Sequence, residues 1–185
     1  MHMDKLILGL VGEKFAGKDA AANYLAKKHQ AAHFRFSHIL DDILRLLDLP
    51  ISRRNEIDLG LGLRQIFGRQ VLGPAIIQRV KASASALVVI NGIRMDEVEN
   101  VRQVGGKIIY ITAPVEARFA RYQQRREKTD DGSMSLQAFV EQEQEPTEVG
   151  IPELGKSADF RIENTGSLEE FYGKLEEVLS RIRPA

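Results

Sequence analysis

The densest chemistry in this sequence lies between Gly12 and Ala20. Gly12-Glu13-Lys14-Phe15-Ala16-Gly17-Lys18 sets a lysine directly after the second of two glycines, and Asp19 and Ala20 follow. Glycines let a backbone curl until several N–H groups point at one anion. A helix that starts there adds partial positive charge and free N–H groups. The lysine adds a full charge able to reach the β- and γ-phosphates of a nucleotide. Gly12, Lys14, Phe15, Ala16, Gly17, Lys18, Asp19 and Ala20 therefore form a candidate phosphate cradle. A glycine turn without chemistry is the alternative, and the context opposes it. The apolar run Lys5 to Val11 precedes the loop, and helical spacing of Ala21, Ala22, Leu25 and Ala26 follows.

One position departs from this motif. After the lysine the pattern has Ser or Thr, whose hydroxyl holds Mg²⁺. Here Asp19 stands in that place and Ala20 follows, so no hydroxyl is available. Three readings of Asp19 stand open: it holds Mg²⁺ directly or through water, it caps the helix, or it repels the phosphates.

The elements that must position this loop are legible as alternating strands and helices. Lys5–Val11, His33–Phe36, Ala86–Ile90, Lys107–Thr112 and Ala158–Ile162 read as short strands, and Ala86–Ile90 is apolar at every position. Ile39, Ile43, Leu46 and Leu47 share a helical face that Pro50 stops. Residues 51–60 read as a polar loop, and Leu61–Ala84 as helical, broken near Gly73-Pro74. Arg94–Val104 is predicted helical. Pro114 starts a helix reaching about Lys128. Leu136–Glu145 reads as an acidic helix. Ser167 and Glu170 make a capping box ahead of the last helix, whose stripe is Leu168, Phe171, Leu175, Val178, Leu179 and Ile182. Such alternation implies an α/β fold, three layers deep, with a five-stranded parallel sheet covered on both faces. Ligands in such sheets bind beyond the carboxyl ends of the strands, and the phosphate loop falls there.

Composition narrows the classes. The chain has 185 residues, 43% hydrophobic and 28% charged, which suits one soluble domain. With no cysteine there is no disulfide scaffold, thiolate metal site or cysteine nucleophile. Lys+Arg and Asp+Glu are both 26, and a net charge of zero argues against a nucleic-acid coat protein. No run approaches the ~20 apolar residues of a membrane span, and the opening residues do not read as a signal peptide. The expected partners are nucleotide-like small molecules, with no nucleic acid and no membrane; the expected location is the cytoplasm, as a monomer or homodimer. Neutrality hides a local contrast. Arg118, Arg121, Arg125 and Arg126 follow Pro114, whereas Glu141, Glu143, Glu145, Glu148 and Glu153 follow one another without a base. Glu141, Glu143 and Glu145 read as a solvated helix face rather than a metal site, and no exposed apolar stripe stands apart from the core pattern.

Several segments resemble known proteins. A phosphate loop ending in Gly17-Lys18-Asp19 resembles that of the phage deoxynucleoside monophosphate kinases. Asn91-Gly92-Ile93-Arg94, with Glu97 and Glu99, is similar to a segment of an archaeal family of adenylate-kinase-like P-loop proteins. Arg118 to Asp131 continues that likeness, and Ala158 to Ser167 resembles the closing motif of the same proteins and of the dephospho-CoA kinases. The likeness is weakest over about 48–80.

The resemblance implies a P-loop fold of the nucleotide-kinase type, in a single domain over 1–185. Its core would be 1–36 and 86–185, with an acceptor-binding helical lobe at about 37–84 and a lid at about 121–150. It implies ATP as co-substrate, Mg²⁺, and transfer of the γ-phosphoryl to a (deoxy)nucleoside monophosphate or similar phosphorylated acceptor. By the same resemblance Lys18, Arg94, Arg121 and Arg125 are catalytic; Ser37, His38, Arg64 and Arg94 bind the acceptor; and Asn164 and Gly166 lie against adenine. Many relatives carry a carboxylate near position 91; here Asn91 could bind a metal only through water, and Asp19 would compensate. Structural readings stand beside these. Arg94 could pair with Asp96 or Glu97, Ser37 could be a helix cap, Asp41 and Asp42 read as structural, and Asn164-Thr165-Gly166 could be a turn feeding Ser167. Two other functions remain: a dephospho-CoA kinase, for which the His38 position offers no acid, and an ATP-binding regulatory protein with little turnover.

Overall fold

The structure, a computed structural model, describes residues 5–124, 134–145 and 148–182. Among the described residues there are five strands: β1 (Leu6–Val11), β2 (Ala32–Arg35), β3 (Leu87–Asn91), β4 (Lys107–Thr112) and β5 (Phe160–Glu163). All pair in parallel, in the order β2-β3-β1-β4-β5. Alternation along each strand divides the core. Ile7 and Val11, Val88 and Ile90, and Ile108 and Tyr110 face one side. Leu8 and Leu10, Leu87 and Val89, and Ile109 and Ile111 face the other. Strands apolar on both faces need a helical layer on each, and the chain provides them. Helix α1 (Lys18–His29) and the last helix cover the second face with Ala21, Ala22, Leu25, Phe171 and Leu175. The first face is covered by α2 (Phe36–Leu46), α4 (Gly73–Ala82), α5 (Val98–Gln103) and α8 (Ile151–Lys156) through Ile39, Leu40, Ile76, Val80, Val101 and Leu154. Between α2 and α4 lies α3 (Arg53–Phe67). After β4 come α6 (Val115–Gln124) and α7 (Leu136–Glu141), and α9 (Leu168–Ile182) closes the described chain.

The five-stranded parallel α/β/α architecture expected from the sequence is therefore present. The chain leaves β1 toward β2 on one side and leaves β4 toward β5 on the other. The connections diverge at the carboxyl ends of β1 and β4, where an open α/β sheet forms its ligand crevice. The Ser167–Glu170 capping box is also present: Ser167 N donates to Glu170 Oε2 at 2.7 Å and Glu170 N to Ser167 Oγ at 3.2 Å.

Two expectations are corrected. Residues 51–60 are largely helical, as the first part of α3, because Ser52 caps Asn55 N at 3.2 Å and Arg54 pairs with Asp58 one turn on. An exposed apolar surface also stands apart from the core. Leu46, Leu47, Leu49, Ile51, Ile57, Leu61, Ile66 and Phe67, from the end of α2 through α3, are all exposed. No described helix is long and apolar enough to cross a membrane.

Candidate functional site

The phosphate loop joins β1 to α1, so it sits at the carboxyl edge of the central strand. Its geometry needs its residue types. Gly12 has φ 150°, and a Cβ there would meet Ile111 O at 1.9 Å. Gly17 has φ 119°, and a Cβ would meet Asn164 Nδ2 at 2.4 Å. Phe15 adopts φ 62°, uncommon for a non-glycine residue. Its ring is held 5.4 Å from Tyr122 and 5.8 Å from Phe139. Gly17 caps α1 without a side-chain hydrogen bond, so the first-turn N–H groups face the loop with no capping side chain, as an anion site requires. Lys18 Nζ donates to Gly12 O and Glu13 O at 2.7 Å each. Burial lowers the Lys18 pKa to about 8, against the opposing pull of Asp19, Glu148 and Glu13.

Asp19 is neither a free carboxylate nor a helix cap. Its Oδ1 accepts from Asn91 Nδ2 at 2.7 Å and also from Arg35 Nη2. The structure thus brings together the two residues expected to attend a metal, and adds an arginine that the sequence did not single out. Asn91 is buried and its Oδ1 has no hydrogen-bond partner. Two hard oxygen donors, the Asp19 carboxylate and Asn91 Oδ1, fit a Mg²⁺ held mainly by phosphates and water. Among the described residues, no group of three or more His, Asp or Glu could hold a metal ion by itself.

The arginines expected around the loop divide by partner. Arg121 lies behind the loop, with Nη1 donating to Phe15 O at 3.2 Å and Ala16 O at 3.3 Å and Nη2 to Asn164 O at 2.7 Å. Asn164 is buried, and its Nδ2 donates to Ala16 O at 2.8 Å. Both residues therefore brace the phosphate loop through its carbonyls. Gly166 stays small because a Cβ would meet Glu170 Oε2 at 2.0 Å, which fits its reading as part of the turn feeding the cap. Arg125 lies outside the described residues, as do Arg126 and the lid tip at Thr129–Gly132.

The acidic segment is not simply a solvated face, which corrects that expectation. Glu143 takes both Nη groups of buried Arg118, whose Nε donates to Ala113 O. Glu145 pairs with Lys14 at 3.2 Å, and Glu148 with Arg94 at 3.4 Å. Three carboxylates from one segment thus lie on three cations around the loop. A small cavity of about 130 Å³ between them is lined in part by Glu13, Lys14, Glu143 and Glu148.

In the expected acceptor lobe, Arg64 Nη2 donates to Glu97 Oε1 at 2.8 Å, and Arg94 N donates to Glu97 Oε2 at 3.0 Å. Glu97, 2% exposed, therefore ties α3 to the loop after β3. The Arg94 side chain goes to Glu148 rather than to Asp96 or Glu97. Asp96 is paired with Arg69 at 3.8 Å. Ser37 is not a cap, because α2 begins at Phe36 with Arg35 in the cap position. His38 lies 6.3 Å from His33, ring to ring, and burial and Arg35 lower the pKa of both imidazoles. Asp42 is structural, as expected, accepting from Arg45 at 2.6 Å and from Arg79.

A parallel β2-β3-β1-β4-β5 sheet with this loop after its central strand defines a P-loop protein of kinase-like fold. Solved structures agree. TT1252 from Thermus thermophilus superposes with a TM-score of 0.63 at 19% identity, covering 97% of this chain and 98% of its own. A shikimate kinase from Bacteroides thetaiotaomicron gives 0.62 at 13%, covering 95% and 98%. A gluconokinase from Sinorhizobium meliloti gives 0.56 at 14%, covering 98% and 95%. No family model matches the chain. Over 130 residues it is 32% identical to a UPF0200 protein of Saccharolobus islandicus, covering 68% of each. The chain belongs to the UPF0200 family. It is also 27% identical over 188 residues to the UPF0200/UPF0201 protein of Archaeoglobus fulgidus, covering 98% of this chain but spanning only 57% of that relative's length.

Proposed function

We propose that this chain is an ATP-dependent phosphotransferase that moves the γ-phosphoryl of ATP to a (deoxy)nucleoside monophosphate or similar phosphorylated small molecule. The observation that carries this reading is the phosphate loop itself: strained into shape, capped without a side chain, and set over a half-buried lysine at the carboxyl edge of the central strand. Phosphoryl transfer asks for positioned positive charge and exclusion of water more than for covalent chemistry. The first-turn N–H groups of α1 would hold the phosphates, and Lys18 would leave the carbonyls of Gly12 and Glu13 for the β- and γ-phosphate oxygens. Arg94, once off Glu148, would grip the acceptor phosphate with its guanidinium fork. Arg121 would support the loop, and Arg125 would serve the lid over about 121–150. Asp19 and Asn91 would attend a Mg²⁺, which supplies charge neutralisation between the phosphates. The lobe at about 37–84 would hold the acceptor.

ADP formation from ATP and Mg²⁺, measured against a panel of nucleoside monophosphates and dephospho-CoA, tests the reading. Acceptor-dependent turnover abolished by Lys18→Ala supports it. Stable ATP binding without turnover on any acceptor favours the second reading, an ATP-binding regulatory protein. Two observations speak for that second reading: Asp19 is already engaged by Arg35 and Asn91, and glutamates already occupy Arg94 and Arg118.

A further inference from the structure

We infer that Arg35 is a positioning residue that acts as a built-in counter-cation for Asp19, so that the phosphate loop takes a nucleoside triphosphate without first requiring a divalent ion. The inference rests on the reading of the loop as a nucleotide site. A carboxylate in the first turn of α1, adjacent to Lys18, repels phosphate and cancels much of the lysine's attraction. Arg35 ends β2, two strands away from β1 in the sheet, yet its Nη2 reaches Asp19 Oδ1. Asn91, ending β3, donates to the same oxygen. Two donors on one oxygen fix how the carboxylate faces, and one of them neutralises it. The Lys18 charge is then left for the incoming anion.

The Asp19 carboxylate is half exposed and the Arg35 side chain about one-third exposed, but the pair is anchored on a buried partner. Asn91 is 3% exposed, so its amide cannot swing to solvent, and Arg35 Nε is buried without a hydrogen-bond partner. The pair replaces the hydroxyl that the motif has at position 19. Toward Asp19 the guanidinium does what a divalent cation would do, and the two are alternatives at that carboxylate. This relation also accounts for both departures from the motif at once. Asp19 at the hydroxyl position and Asn91 at the strand end are parts of one arrangement with Arg35.

Calorimetric titration with ATP, once in EDTA and once in Mg²⁺, tests this on the wild type, Arg35→Gln, Arg35→Lys and Asp19→Asn. The wild type is expected to bind ATP in EDTA within a few-fold of its affinity in Mg²⁺. Arg35→Gln should lose at least about tenfold in EDTA and much less in Mg²⁺. Arg35→Lys should regain most of the loss, and Asp19→Asn should bind in EDTA at least as well as the wild type. A loss in Arg35→Gln that is equal in both conditions, or no loss in EDTA, overturns the inference. Should Arg35→Gln fail to fold, the lysine and asparagine variants decide alone: weak binding by both in EDTA overturns it. Failure of the wild type to bind ATP in either condition overturns the nucleotide reading and this inference with it. Wild-type binding with an indifferent Arg35→Gln overturns this inference only.

Discussion

Lys18 shows how burial tunes the group proposed to bind phosphate. A lysine held near 8 is mostly charged at pH 7 and mostly neutral at pH 9. Bound phosphate raises it again, so nucleotide binding takes up a proton once the pH exceeds about 8. ATP affinity is therefore expected to fall as pH rises from 7 to 9, with proton uptake visible by calorimetry in buffers of different ionisation enthalpy. Lys18→Met should flatten that dependence. Glu97 is the other buried charge of consequence. Burial raises its pKa, opposed by Arg64 and Arg94. Removing the carboxylate leaves the Arg64 guanidinium and a backbone N–H without their partner. Glu97→Ala is thus expected to cost about 3 kcal/mol, read from urea midpoints. A raised pKa contributes stability that is fully present below the ordinary carboxylate range and is lost as pH rises through the raised value. The advantage of wild type over Glu97→Gln should accordingly be largest in acid and shrink toward neutrality.

At the scale of elements, the glutamate-bearing stretch after α7 occupies the cations that phosphates of the proposed nucleotide would use. Phosphates and the carboxylates of Glu143 and Glu148 would seek the same guanidinium groups. Glu143→Gln combined with Glu148→Gln should therefore tighten ATP binding several-fold by calorimetry. If affinity falls instead, the glutamates support the site rather than compete for it. What the sequence reveals here depends on distance along the chain. The phosphate loop, the all-apolar strands and the Ser167 cap are local patterns, and each is present as read. The pairs Glu143–Arg118, Glu148–Arg94 and Arg35–Asp19 join residues 25, 54 and 16 positions apart, across different elements. Only folding brings them together, so Glu143 read as solvated and Arg35 drew no notice. The start of α3 was hidden for another reason. Arg53 to Glu56 is wholly polar, and Gly60 and Gly62 break the helical signal, whereas the Ser52 cap and the Arg54–Asp58 pair carry the helix.

Across the whole molecule, a net charge of zero is the sum of opposed patches brought into contact around one loop. The exposed apolar residues of α2 and α3 form a separate surface, and single-sequence patterning could not distinguish them from core positions at helical spacing. Ile66 and Phe67 are 73% and 67% exposed. Ile66→Ser with Phe67→Ser should reduce binding of a hydrophobic fluorescent dye while changing stability by no more than about 0.5 kcal/mol. A variant that binds as much dye as the wild type would show that the exposed surface lies elsewhere.

The strand order also governs how the chain matures. β1 is made before its neighbours β3 and β4, which come some 80 and 100 residues later, and the Asn164 contact to Ala16 spans 148 residues. During synthesis the loop after β1 is therefore made well before the contacts that complete it. Until β3 and then β4 arrive, Leu6–Val11 has no partner strand and remains a sticky apolar segment of the kind chaperones recognise.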